Sequence, residues 1–231
     1  MAQALTTPRP AARTLAAEPA ARRTRALLAC GMAAGPVFIG MVLFQARIRD
    51  GFDLTRHAAS LLTNGHLGWI QITNFAVTGL LSIACAAGMR HVLGHRSGGT
   101  RLVGIFGTGL LVAGAFRADP AEGFPPGVPP GPGQVSWHGV LHMVGFGVGF
   151  VCLIAACFVV ARALAALGRP KLAVYSRSSG FVVLAGIAGS FATTGSATAL
   201  AFIWLAVVTA WSWLAVVAAR LRSEPGVRPS G

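Results

Sequence analysis

Two histidines four residues apart, His138 and His142, lie in the segment S-W-H-G-V-L-H, where a polar stretch runs into a long apolar one. On a helix that spacing turns both imidazoles to the same side. Helices use the same spacing to chelate a metal. Zinc would need a third ligand and an open position. Asp119 is the first candidate, and Asp53 and His57 carry suitable donors. Ser60 and Ser136 are placed to orient a water. The same side chains support two other readings. In one, the histidines hydrogen-bond to Asp119, Gln71 or Asn74 in a structural or proton-linked network. In the other, they contact a bound substrate directly. No H-E-x-x-H arrangement accompanies the pair.

Three segments must bring these groups together. The first is the stretch from Arg47 to Phe75, which holds Asp53, His57 and Ser60. Its end enters an apolar run in which Gln71, Asn74, Thr78 and Ser82 recur every three or four residues, so they share one helical face. Lipid cannot satisfy an amide, so that stripe is expected to point into a helix bundle, as interhelical hydrogen bonds or as the wall of a polar cavity. The second segment is F-R-A-D-P-A-E-G-F-P-P-G-V-P-P-G. Its prolines 120, 125, 126, 129 and 130 preclude a helix and favour a stiff, extended path that holds Asp119 and Phe124 as a lid, or serves only as a rigid connector. The third is the histidine segment itself.

The rest of the chain is apolar. Of 231 residues, 54% are hydrophobic and only 11% charged, against about 25% charged in soluble domains. With a mean hydropathy of +0.66, this is the composition of an integral membrane protein. The formal charge of +13 does not indicate nucleic acid, because the arginines sit between apolar runs of membrane-spanning length. Six spans are expected, at about 27–46, 67–89, 102–116, 135–161, 178–194 and 199–219, forming one all-α domain over 26–222. Residues 1–25, basic and without apolar periodicity, are expected to be a disordered tail, as are 223–231. Arg22, Arg23 and Arg25 allow an export or transit signal, but the next run has no clear cleavage site and reads as an uncleaved helix.

Lys and Arg number fifteen in the tails and the 90–101 and 162–177 loops, against four (Arg47, Arg49, Arg56, Arg117) on the opposite side. The positive-inside rule then puts both termini in the cytoplasm of a bacterial cell and the polar loops outside its plasma membrane. Cys30, Cys85, Cys152 and Cys157 lack metal-finger spacing and read as small apolar side chains within spans. Glycines inside the spans, such as Gly109, Gly145 and Gly149, read as close helix packing, which is compatible with a homo-oligomer without requiring one.

The segments C-G-M-A-A-G-P-V-F, R-D-G-F-D-L-T-R-H-A-A-S-L-L, G-W-I-Q-I-T-N-F, F-R-A-D-P-A-E-G-F-P-P-G and S-W-H-G-V-L-H resemble the bacterial and archaeal six-span proteins of domain of unknown function family 998. The likeness runs over about residues 25–222 and implies a single six-helix membrane domain. It brings no activity or cofactor with it. A looser similarity of site chemistry links Ser60, Asp119, His138, His142 and His57 to the zinc-dependent membrane hydrolases that include alkaline ceramidases and adiponectin receptors. Those have seven spans and a different ligand order.

Two functions stay open at this level. One is a binding or structural module with an outward polar pocket for a lipid or small amphiphile. The other is a zinc-dependent hydrolase of a lipid or amide in the outer leaflet. An ion-coupled carrier ranks last, because no acid lies deep in an expected span.

Overall fold

Apart from the polar stripe from Gln71 to Ser82, the apolar runs are hydrophobic on every side, and the folded chain uses both its outside and its inside. The computed structural model describes residues 10–94, 98–194 and 196–223. Six helices carry it: α1 (Pro10–Ile48), α2 (Gly68–Leu93), α3 (Gly98–Ala115), α4 (Trp137–Ala166), α5 (Pro170–Ala192) and α6 (Ala197–Arg222). Each contains a stretch long and apolar enough to cross a membrane, and no strand occurs among the described residues. Leu43, Val77, Leu80, Val148, Val151 and Phe181 lie exposed on the outside, where lipid would meet them. Phe38, Phe106, Leu153, Trp213 and Leu214 fill the inside. Trp69 and Trp137, both exposed, mark one level at the starts of α2 and α4, as tryptophans do at a membrane interface.

Each helix packs on the next in sequence, and α6 closes back on α1, so the six form a ring in chain order. Small residues set the tightest seam. A Cβ at Gly109 of α3 would sit 2.5 Å from the Gly145 carbonyl oxygen and 2.9 Å from Gly149 Cα, both on α4. Polar links are few but placed between helices. Trp213 Nε1 donates to Ser176 Oγ at 2.8 Å, and Ser176 Oγ donates to the Cys157 carbonyl at 2.6 Å, joining α6, α5 and α4. Ser176→Ala would leave the fully buried indole N–H without its acceptor. We expect a loss of about 1–3 kcal/mol, read by detergent-unfolding titration, with Ser176→Thr less damaging.

The helix boundaries depart most from the sequence expectation at two places. α1 begins at Pro10, inside the stretch expected to be a disordered tail. Lack of apolar periodicity does not prevent a helix in a segment rich in Ala, Arg and Leu, which favour it intrinsically. An exposed Glu18–Arg22 pair at 3.8 Å supports it at helical spacing. Residues 1–9 and 224–231, the remainder of the expected tails, lie outside the described residues. α5 begins at Pro170 rather than near 178, so Lys171 and Arg177 belong to the helix. Pro is tolerated at the first helical position, and exposed basic side chains can extend from a helix end toward water. α3 remains the shortest span at 18 residues, roughly 27 Å.

Candidate functional site

The two long connections at the start of α2 and α4 fold onto each other and form a cap over one end of the ring. Its first half runs from Arg49 through the 3-10 turn Ala59–Thr63. Its second is the proline-rich 116–136 segment. Phe124, fully buried, packs against Phe52 (5.2 Å between centroids) and His57 (5.5 Å). The Arg49 guanidinium lies 5.2 Å from the Phe124 ring centre. Arg49 also donates to the Leu62 carbonyl at 3.2 Å and to the Asn64 carbonyl. It is 7% exposed, and desolvation draws its pKa below the usual arginine value. Asn64 Nδ2 donates to the Ala118 carbonyl at 3.0 Å, and Ala118 N–H donates to Thr63 Oγ1 at 3.3 Å. The proline segment is thus latched down at Ala118 and Phe124.

His57 is the pin of this cap. Asp53 N–H donates to its Nδ1 at 2.9 Å, and its Nε2 stands 3.0 Å from the Glu122 carbonyl. An acceptor role at Nδ1 and a carbonyl opposite Nε2 fix the neutral tautomer with the proton on Nε2. Both ring nitrogens are used, and the ring is 2% exposed. Asp53 itself is exposed. Hydrogen bonds from the Thr55 hydroxyl (2.7 Å) and then its N–H (2.8 Å) stabilise the carboxylate and lower its pKa.

Asp119 serves the start of α4. Its carboxylate accepts from Ser136 N–H at 2.8 Å and from the Ser136 hydroxyl, while Ser136 Oγ accepts from Gly139 N–H at 3.1 Å. A carboxylate beside unpaired N–H groups at a helix N-terminus is favoured by charge as well as by hydrogen bonding. A side chain at Gly139 would collide with it, since a Cβ there falls 1.9 Å from Asp119 Oδ2.

The histidine pair separates. His138 is exposed and stacks on Trp137 at 3.5 Å, at the interfacial level. His142 is 3% exposed and faces α3, where its Nδ1 lies 2.8 Å from the Ala113 carbonyl and 3.0 Å from the Phe116 carbonyl. Only an N–H can sit between two carbonyl oxygens, so the proton is on Nδ1. No group of three His, Cys, Asp or Glu side chains among the described residues could hold a metal ion. The proposed ligand set His138, His142 and Asp119 is not assembled, and His57, with both nitrogens engaged, does not complete it.

Gln71 and Asn74 occupy a fourth place, inside the ring between α1 and α2. Both are buried, as are Thr78 and Ser82 below them, so the whole stripe points inward. Gln45 Nε2 of α1 donates to Gln71 Oε1 at 2.7 Å. Asn74 Nδ2 donates to the same oxygen at 3.2 Å and to the Phe38 carbonyl at 3.1 Å. Thr78 and Ser82 instead bond back to their own helix, at 2.7 and 2.8 Å. Gln45 Oε1, Gln71 Nε2 and Asn74 Oδ1 are buried without a partner in the protein. Such groups are normally answered by internal water. Gln45 and Arg49 are site residues beyond those expected from the sequence. Their signal was present as an amide and a guanidinium one turn apart at the end of the first span.

Ser60 and His142 meet in a fifth place, an apolar cavity of about 150 Å³ beneath the cap. Its walls include the rings of Phe38, Phe75, Phe106, Phe146, Phe150 and Trp211, drawn from α1, α2, α3, α4 and α6. Ala58, Ala59 and Ser60 of the cap close its end. Met143, which is 51% exposed, lines it on α4, and Ile203 and Val207 line it on α6. The cavity therefore reaches the surface on the flank of the ring. His142 Nε2 has no partner among the described residues. None of the acids lines the space.

The eight residues expected to share one polar pocket thus lie in five places: cap pin (Asp53, His57), helix cap (Asp119), interfacial surface (His138), buried amides between α1 and α2 (Gln71, Asn74) and the apolar cavity (Ser60, His142). Six apolar spans in a closed ring, with both aqueous connections at one end folded into a cap, define a multi-pass membrane protein. The chain belongs to the family described as "Protein of unknown function (DUF998)", whose model matches residues 32–220. No curated protein and no solved structure matches the chain.

Proposed function

We propose that this protein binds a small lipophilic molecule from the membrane inside its helix ring. One observation carries the reading: the aromatic-walled cavity of about 150 Å³ that reaches the surface of the ring beside Met143 of α4, which is 51% exposed. A dry apolar cavity of about this volume holds a molecule of about benzene's size. A lipid headgroup is too large and too polar for it. The ligand is therefore one apolar ring, or the end of an amphiphile whose remainder stays in lipid. The cap stands across the aqueous route, so entry is lateral, past Met143. The fifteen-to-four distribution of Lys and Arg supports placing the cap outside the cytoplasm, with both termini inside.

Val207 is 9% exposed and lines the cavity on α6, so Val207→Phe should fill part of it. In bilayer discs, a phenyl diazirine activated by light should label Phe106 and Trp211, which lipid barely reaches. That labelling should saturate and be competed by toluene. Val207→Phe should lower it at least about fivefold while leaving thermal stability unchanged or raised, because a filled cavity restores packing contacts. Labelling confined to lipid-facing residues such as Val77 and Leu80, without saturation, would sink the reading.

A further inference from the structure

Three polar side-chain groups belong to residues lining the cavity, the His142 imidazole, the Ser60 hydroxyl and the Trp211 indole N–H, and the chemistry of the first selects a ligand. His142 is 3% exposed and lines the space. Its Nδ1–H is committed to the carbonyls of Ala113 and Phe116, at 2.8 and 3.0 Å, where only a donor fits. In an uncharged ring Nε2 then carries a bare lone pair, and that atom is an acceptor. A buried acceptor in apolar surroundings discriminates strongly. A ketone, ether or carboxylate would bring a second lone pair against it. A hydroxyl would complete it. No acid lines the cavity to balance a cationic ligand. The walls are aromatic on several sides, with Phe75 edge-on to His142 at 6.0 Å and Phe106 edge-on to Trp211 at 5.6 Å. Rings set at such angles favour another flat ring among them. The volume admits about one.

We propose that the cavity selects an uncharged aromatic ring bearing a hydroxyl group, a phenol, whose O–H donates to His142 Nε2. This rests on the binding function proposed above and names its ligand class. Any longer apolar tail on such a ring would leave past Met143 into the lipid. Ser60, at the cap end of the same space, can accept from or donate to a second oxygen on the ring.

The test uses the full chain in bilayer discs with three probes: phenol, anisole (the same ring with its hydroxyl methylated) and benzene. Each competes against phenyl diazirine labelling of Trp211, at concentrations corrected for partition into the bilayer. Phenol should compete at about tenfold lower membrane concentration than anisole, the worth of one buried hydrogen bond. In His142→Phe that preference should fall below about twofold, with benzene competing as well as before. Because His142 also ties α4 to α3, the variant can fail to fold, so a second measurement is made on the native chain. The nitrogen NMR resonance of His142 Nε2 should move when phenol is added and stay still with benzene. Equal competition by phenol and anisole, or an Nε2 resonance indifferent to phenol, would overturn the proposal while leaving the cavity a binding site. If none of the three probes competes, the binding function fails first and this inference with it.

Discussion

Arg49→Ala is expected to unfold the cap and to cost the protein about 3–5 kcal/mol, the largest effect of any single replacement considered. The guanidinium answers two buried carbonyls, those of Leu62 and Asn64, and lies against the face of Phe124. Hydrogen bonds from a charged donor contribute about 1.5–3 kcal/mol each, and carbonyls left unpaired in the interior are penalised separately. The cation–ring contact adds about 1 kcal/mol. Arg49→Lys should recover less than half of the loss. A lysine ammonium is compact, cannot span both carbonyls in one plane, and does not stack on the ring. Detergent-unfolding titrations of the three proteins measure this directly. Limited proteolysis adds the location, with new cleavage expected within residues 116–136 of the alanine variant. If Arg49→Ala is as stable as the native protein and equally resistant in that segment, the latch does not depend on Arg49.

Gly109→Ala is expected to force α3 and α4 apart, at a cost of about 2 kcal/mol or more. One methyl group is normally a mild change in a helix and even favours it intrinsically. Here the added carbon would lie 2.5 Å from the Gly145 oxygen and 2.9 Å from Gly149 Cα. Both are backbone atoms of a packed helix, so neither can swing aside as a side-chain tip would. Overpacking of this kind costs about 1–3 kcal/mol where the surroundings can partly adjust. The effect should reach the aromatic cavity as well, because Gly109, Gly145 and Gly149 all line it. A control at Gly147, where an added Cβ meets nothing within 4 Å, should leave both stability and ligand competition unchanged. Equal effects at positions 109 and 147 would refute the close-approach argument and point to helix propensity alone.

The six spans could be read from the chain because a bilayer imposes both a minimum length and an apolar composition on whatever crosses it. The inward stripe on α2 could be read for a related reason. Gln71, Asn74, Thr78 and Ser82 fall on one face by helical geometry, and only the interior can receive them. The ends of α1 and α5 could not, because Lys171, Arg177 and the Ala/Arg stretch before Leu27 suit a helix as well as a loop. The histidine pair shows the limit of spacing arguments. Positions four apart differ by about 40° around a helix. At the first turns of α4 that difference, with one turn of depth, leaves His138 in the interfacial layer and His142 between helices. Spacing says where two side chains start, and the elements opposite decide what they meet. The aromatic cavity left no local mark, since its six rings come from five helices that only the fold brings together. Asp119 stands out in the sequence as an acid beside a stiff loop, but its partner Ser136 and the close approach at Gly139 give it the work of starting a helix.

Closure of the ring in chain order has a consequence for when the cavity comes into being. Chains are synthesised from the N-terminus, and α1 must wait for the last span before its second neighbour arrives. Phe38 of α1 and Phe106 of α3 lie 5.3 and 5.6 Å from Trp211 of α6, so the wall that completes the space is the last to be made. A bundle still lacking α6 would leave those rings facing lipid across an open groove. Docking of the sixth helix turns the groove into an enclosure around whatever it then contains. On the binding function proposed above, a lipophilic molecule present in the bilayer at that moment would become a folding partner of the nascent protein, and loading and maturation would be a single event.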